Sequence, residues 1–299
     1  LVIDRATDIT LNNSLTGAGR LVKSGVGTLI FGTGRAVIVG DHGDTLVKGG
    51  MLNMWSDGRN KFGNGTWILD GGTLKHNYSS NTGSTFTNPT SVIGSGGQLW
   101  WEASNTPTVV SNGPVSGSAP LVYNATNKCH AFIAGDNFAF TGTATVEGGG
   151  NGIVGFDNAL ALGGPGAVLN VASGKQVGIR FNPTAAEFAK FNFSDTSILC
   201  AESDLNFTLD LSPSGLNKDI RMGTGATGTF RGAIIPYNNA YRFACRNEGY
   251  RSILTLPRPN TLTGARSLEV LGAPAALGDQ DITLNITAAN DYTLGSTIN

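Results

Sequence analysis

Two groups of residues have the types and spacing for acid–base chemistry. Gly40-Asp41-His42-Gly43-Asp44 sets two carboxylates around an imidazole, and Glu202 stands two residues before Asp204. Paired carboxylates can cleave a glycosidic bond, one as acid and the other as base or nucleophile. Asp beside Gly is also ordinary turn chemistry, since the short carboxylate hydrogen-bonds nearby backbone, and the turn reading is adopted for both groups. Asp279 and Asp281 flank Gln280. Calcium takes oxygen ligands of this kind, but a solvated turn accounts for them more simply.

Other signals are weaker. His42, His76 and His130 lie far apart and match no metal spacing such as H-E-x-x-H; they read as surface or turn residues. No Gly-x-Ser-x-Gly elbow opens a helix. Gly148-Gly149-Gly150-Asn151-Gly152 lacks the following Lys and helix of a phosphate cradle. No catalytic or metal-binding residue is therefore assigned, and no cofactor is expected. Trp100-Trp101 stands apart: strand neighbours point to opposite faces, so one ring is expected inside and the other outside. The outer one is then a candidate contact for a glycan or a partner. Cys129 and Cys245 precede comparable strands, which makes them a candidate disulfide, with free buried thiols as the simpler account.

The elements that must position these residues are almost all strands. Gly contributes 43 of 299 residues, about twice the ordinary share of ~7%. Doublets such as Gly49-Gly50, Gly71-Gly72 and Gly96-Gly97 punctuate short apolar runs. Asp8–Asn12, Thr28–Phe31, Arg35–Val39, His130–Ile133, Ser252–Leu256 and Asp281–Ile286 read as strands, as does 205–211 with Leu205, Phe207, Leu209 and Leu211 at period two. One or two helical turns are expected after Pro183, over Thr184–Phe191.

Charged residues make up 14% and the net charge is −1. That balance offers nothing to track a phosphate backbone, so nucleic acid is not expected as a partner. No run of 18 apolar residues suits a membrane-spanning helix. Three cysteines are too few for a disulfide scaffold. The chain opens on Leu1 with strand-like sequence and no signal peptide, as if processed or cut from something longer.

Internal repetition selects among all-β folds. Asp157–Asn170 and Ala273–Asn285 share a small-residue run, Leu-Gly, a polar turn and a strand ending in Asn. Asn60–Asp70 is a weaker copy, which aligns Gly63, Gly163 and Gly278. Upstream, Asp136-Asn137-Phe138-Ala139-Phe140-Thr141-Gly142 matches Pro259-Asn260-Thr261-Leu262-Thr263-Gly264. The expected architecture is a parallel β-helix, or β-solenoid. It forms one elongated body of three diverged super-repeats, near 1–100, 101–222 and 223–299, with roughly 20–25 residues per coil.

The run Leu15-Thr16-Gly17-Ala18-Gly19-Arg20-Leu21-Val22-Lys23-Ser24-Gly25-Val26-Gly27-Thr28-Leu29-Ile30-Phe31, with Asp70-Gly71-Gly72-Thr73-Leu74, resembles the autotransporter-associated β-strand repeat of bacterial surface proteins. The resemblance is good over 15–75, fair over 135–173 and 252–286, and poor over 76–130 and 182–250. It implies a passenger-like β-solenoid and an extracellular or cell-surface location, and it specifies a fold rather than a chemistry.

The expectation is a non-catalytic structural rod, serving as appendage, filament subunit or adhesin. Its coil ends look uncapped, so a homo-oligomer or filament through those ends is expected, with surface glycans as a further partner. The alternatives are a glycan-binding or glycan-cleaving β-helix, with Asp41, Glu202 and Trp101 along one groove, and a phage or viral fibre.

Overall fold

The computed structural model describes residues 1–13, 15–31, 42–56, 65–78, 83–103, 108–150, 152–245, 252–271 and 282–298. Arg35–Val39, Asp41, Gly63, Gly278, Asp279 and Asp281 lie outside them.

Every strand pairing among the described residues is parallel, and each joins a strand to the one a full coil away. The chain is a β-solenoid. Along one ladder Ile9 pairs with Leu29, Leu29 with Leu52, Leu52 with Leu74, and Leu74 with Leu99. The ladder continues through Tyr123, Val146, Val171 and Phe193. These spacings of 20 to 25 residues match the expected coil length. Coils therefore sit ~4.8 Å apart.

Three long sheets make the faces. A six-stranded sheet runs from Val2–Asp4 to Val115–Gly117, and a nine-stranded sheet from Ile9–Leu11 to Phe191–Phe193. A ten-stranded sheet runs from Ser84–Phe86 to Ser296–Ile298. The nine-stranded sheet ends at Phe193, and further along a four-stranded sheet from Asp204–Leu205 to Ile282–Ile286 is built from strands that each follow one of the ten-stranded sheet. Residues 100–101 and 222–223 fall inside the strands Gly97–Ala103 and Arg221–Gly223, and the ladders pass through both points unbroken.

Alternation fills the lumen. In Leu21–Ser24 and Thr28–Phe31, and from Leu99 onward in Gly97–Ala103, every second residue is buried. Like stacks on like: Leu29, Leu52, Leu74 and Leu99 are all fully buried, each contributing about 1.5–3 kcal/mol of apolar burial. Further along, Phe188, Phe191, Phe193, Phe207 and Phe230 form a chain of ring contacts.

The ten-stranded sheet departs from this pattern. His130–Ile133, Ile153–Phe156, Gln176–Ile179 and Ile198–Ala201 are buried at every residue, as in a sheet covered on both faces. A second apolar cluster of Ile153, Ile198, Cys200 and Ala244, with Leu271 against it, lies outside the lumen.

Polar side chains tie corners of adjacent coils. Lys23, fully buried, donates through Nζ to the carbonyls of Ser24 at 2.6 Å, Gly25 at 2.9 Å and Gly49 at 3.2 Å. Lys175 donates to the Gly148 carbonyl at 2.7 Å, and Lys190 to that of Gly163. Corner carbonyls have no strand partner, and an ammonium with three donors satisfies them.

The predicted helix is present over Ala185–Phe188. Thr184 is its N-cap, in a reciprocal box with Glu187. The expected strand over 205–211 is broken: Asp204–Leu205 and Leu209–Asp210 belong to different sheets. The chain turns a corner at Phe207, where the Gly232 backbone packs on the Phe207 carbonyl. Period two survives across a corner, so the apolar spacing could not show it.

Candidate functional site

The five longest strands of the nine-stranded sheet are consecutive: Met51–Ser56, Thr73–Tyr78, Gly97–Ala103, Leu121–Asn127 and Thr143–Gly150. Their inward residues build the core. Their outward residues line up in rows. One row reads Asn53, Lys75, Trp100, Asn124, Glu147, and the next reads Trp55, Asn77, Glu102, Thr126.

These side chains form one hydrogen-bonded strip. The Lys75 ammonium sits 3.9 Å from the Trp100 ring centroid and 2.8 Å from the Glu102 carboxylate. The Trp100 indole N–H donates to the Thr126 hydroxyl at 2.7 Å, and that hydroxyl donates to Glu102 at 3.4 Å. Thr73 donates to Gln98 at 3.1 Å in the flanking row. Trp55 is 39% exposed. Asn53 and Asn124, at opposite ends of the Lys75–Trp100 pair, each have a buried side-chain oxygen with no hydrogen-bond partner.

The tryptophan pair divides as alternation requires. Trp101 is fully buried, 6.4 Å from Tyr123 in a stacked arrangement, and Trp100 is half-buried on the outer face. Trp55 escaped the sequence reading. Its strand, Met51-Leu52-Asn53-Met54-Trp55, mixes apolar residues on both faces, and only the register shows Trp55 beside Asn77 and Glu102.

Among the described residues the carboxylate groupings do not converge. Asp44 pairs with Arg20 at 3.0 Å and accepts the Thr66 backbone N–H at 3.0 Å, which holds its carboxyl below the ordinary range. Those bonds are turn chemistry. Asp204 faces solvent and pairs with Arg231 at 2.7 Å. Glu202 instead lies under Gly225, accepts its backbone N–H, and has its pKa raised by burial. Glu202 extends from the end of a strand in the ten-stranded sheet, whereas Trp101 sits in the lumen under the nine-stranded sheet. No shared groove joins them.

All three histidines are buried, against the surface or turn placement expected for them. In Thr73–Tyr78 alternation turns His76 inward with Leu74. It lies 5.1 Å from the Trp67 ring and 4.3 Å from that of Phe86. Burial depresses its pKa to about 3. His130 faces the covered outer side of the ten-stranded sheet, and burial, with Arg180 adding to it, depresses its pKa to about 4. His42 shares a 2.8 Å hydrogen bond with the Thr45 hydroxyl.

Cys129, Cys200 and Cys245 are buried and in no disulfide, and Cys245 donates to the Ser252 hydroxyl at 3.1 Å. Cys129 precedes the strand His130–Ile133 and Cys245 follows Ala240–Ala244, five positions along the same ladder. That is about 24 Å at ~4.8 Å per step, against the ~7 Å a disulfide can span. The structure does not bring the candidate pair together. Burial raises the pKa of Cys129 and Cys200, which disfavours the reactive thiolate. Among the described residues no three His, Cys, Asp or Glu side chains are grouped to hold a metal. No helix among them is long and apolar enough to cross a membrane.

No protein-family model and no solved structure matches the chain. Among curated proteins, it is 32% identical over 162 residues to the adhesin BmaC autotransporter of Brucella suis biovar 1 (strain 1330). The match covers 53% of this chain and 4% of that protein, so the chain spans a small fraction of the relative's length.

Proposed function

We propose that the chain is a cell-surface β-solenoid that works by adhesion rather than catalysis, in the manner of an autotransporter passenger. The carrying observation is the pairing of two facts: a parallel ladder of coils with a core of stacked side chains, and similarity over half the chain to an autotransporter adhesin. The repeat motif at 15–75 supports the narrower placement among autotransporter-associated repeats. The separation of Glu202 from Asp204, one buried against backbone and the other paired with Arg231, weighs against paired-carboxylate catalysis.

Self-association along the rod axis belongs to the same reading, because head-to-tail contacts between solenoids propagate. The test of adhesion is attachment of beads coated with purified chain to a panel of epithelial and phagocytic cells. Attachment above that of heat-denatured chain is expected, and none on any cell type overturns the reading. A strictly monomeric mass in solution overturns the assembly.

A further inference from the structure

We infer that the outer face of the six-stranded sheet docks on the same face of a second copy, so that two rods lie side by side and point the same way. This adds a lateral contact to the end-to-end assembly above and does not depend on it.

In Leu21–Ser24, Thr45–Val47 and Trp67–Leu69 the buried residues alternate with outward ones. An outward row facing water is ordinarily polar. Here it reads Val2, Val22, Leu46, Ile68 on four successive strands, before turning to Ser91 and Ser116. All four aliphatic side chains are at least partly exposed, Val2 at 66%. None of them packs against either buried apolar cluster of the described residues.

Charged and polar residues rim this stripe on both sides. Two residues before it along the strands stand Arg20, Asp44 and Thr66, with Arg20 and Asp44 paired at 3.0 Å. Two residues after it stand Ser24, Lys48 and Asp70. Lys48 is only loosely paired, 3.9 Å from Asp70, and its side chain is 52% exposed. An apolar centre inside a polar rim is the anatomy of a protein interface.

The pattern is complementary to itself. A two-fold axis along the stripe sets Val22 on Val22, Leu46 on Leu46 and Ile68 on Ile68, and it exchanges the two rims. Asp44 then faces the second copy's Lys48, and Thr66 faces the second copy's Asp70. Each contact occurs twice, as in any isologous pair, and opposite charges hold the register. Turning one rod end for end instead sets Asp44 against Asp44 or Asp4 against Asp70, or slides Val22 over Ser91. Six strands by about five residues give roughly 500 Å² a copy, so ~1,000 Å² in all, short of the ~1,200 Å² of a stable interface. The contact is therefore weak between two rods in solution and gains strength among many rods held on one surface.

The test joins copies through the stripe. Leu46→Cys in the full chain puts one reactive thiol on the axis, since the native cysteines are buried. A short bismaleimide, matched to the ~10 Å between packed sheets, should link it into a covalent dimer about tenfold faster than it links Phe138→Cys at an exposed corner. Val22→Cys and Ile68→Cys should each self-link as well, because only the parallel pairing places all three on the axis. Adding Ile68→Lys or Lys48→Glu to Leu46→Cys should bring the rate down to that of Phe138→Cys, and melting curves should show every variant folded. Equal rates for Leu46→Cys and Phe138→Cys, a rate indifferent to Ile68→Lys, or linking of Val22→Cys to Ile68→Cys in place of self-linking overturns the inference. End-to-end assembly that survives in Ile68→Lys while the cross-link is lost is the expected separation of the two contacts.

Discussion

The Asn137 carboxamide oxygen accepts the Val115 backbone N–H at 2.7 Å, 22 residues back along the chain. Its amide also donates to the Ala161 carbonyl at 2.8 Å, 24 residues ahead. One buried side chain thus pins a coil to the coils on both sides. It is the Asn of the repeated run Asp136-Asn137-Phe138-Ala139-Phe140-Thr141-Gly142, and the two bonds explain why that residue type sits there. Asn137→Ala leaves a donor and an acceptor without partners and should destabilise the chain by about 2–4 kcal/mol. The check is the shift in denaturant midpoint, with Phe138→Ala next door expected near zero.

Trp100 and Trp101 should behave oppositely. Trp101→Ala empties a fully buried site and should cost about 3–5 kcal/mol. Trp100→Ala removes a half-exposed ring and one hydrogen bond, for about 1 kcal/mol. Thermal melting of the two variants side by side measures the contrast.

Corner glycines differ in what their missing Cβ avoids. Gly96 has φ +81°, and a Cβ there would lie 2.0 Å from the Pro120 carbonyl oxygen. Gly264 has φ +78° with nothing within 4 Å. Gly264→Ala should therefore cost only the left-handed strain, about 1 kcal/mol. Gly96→Ala must also push two coils apart and should cost several times more. Hydrogen exchange at the 96 and 120 corners would show whether the ladder opens there.

Acid should weaken the fold through His76. Its folded pKa of about 3 lies below the unfolded value of ~6.5, so below pH ~6.5 the unfolded chain binds the extra proton. The stability tied to the neutral imidazole is complete above that pH and is lost as pH falls toward 3, by up to ~1.4 kcal/mol per pH unit. Glu202 acts in the other direction near its own titration, since burial raises its pKa. Comparing wild type with His76→Leu between pH 7 and 5 isolates the histidine; the variant's stability should fall less steeply.

Thiol chemistry tests the cysteines. With all three buried as thiols outside any disulfide, iodoacetamide should label none in the native chain and all three after denaturation. Reducing agent should change neither mass nor melting temperature.

Several individual elements were legible before any coordinates. Ser252–Leu256 and His130–Ile133 form at the expected residues, and Thr184 with Glu187 caps the expected short helix. These signals are local, since alternation, Gly turns and capping pairs act over a few residues. The break at Phe207 and the burial of His76 were not legible, because each depends on what a neighbouring coil places against it. Trp55 is the clearest case. Nothing within its own strand distinguishes it, and its company of Asn77 and Glu102 comes from coils 22 and 47 residues away.

Glycine-punctuated apolar runs, diverged super-repeats of roughly 100 residues and the resemblance to a passenger repeat together pointed to a parallel solenoid, because each coil must repeat the geometry of the last to pair with it. Alternation also settled that Trp100 and Trp101 face opposite ways, since adjacent strand residues always do. Which of the two faces outward, which polar residues share its row and how far apart Cys129 and Cys245 lie needed the register of whole coils. Register is fixed by the sum of many weak contacts between residues more than 20 positions apart, and no short window of sequence contains that sum.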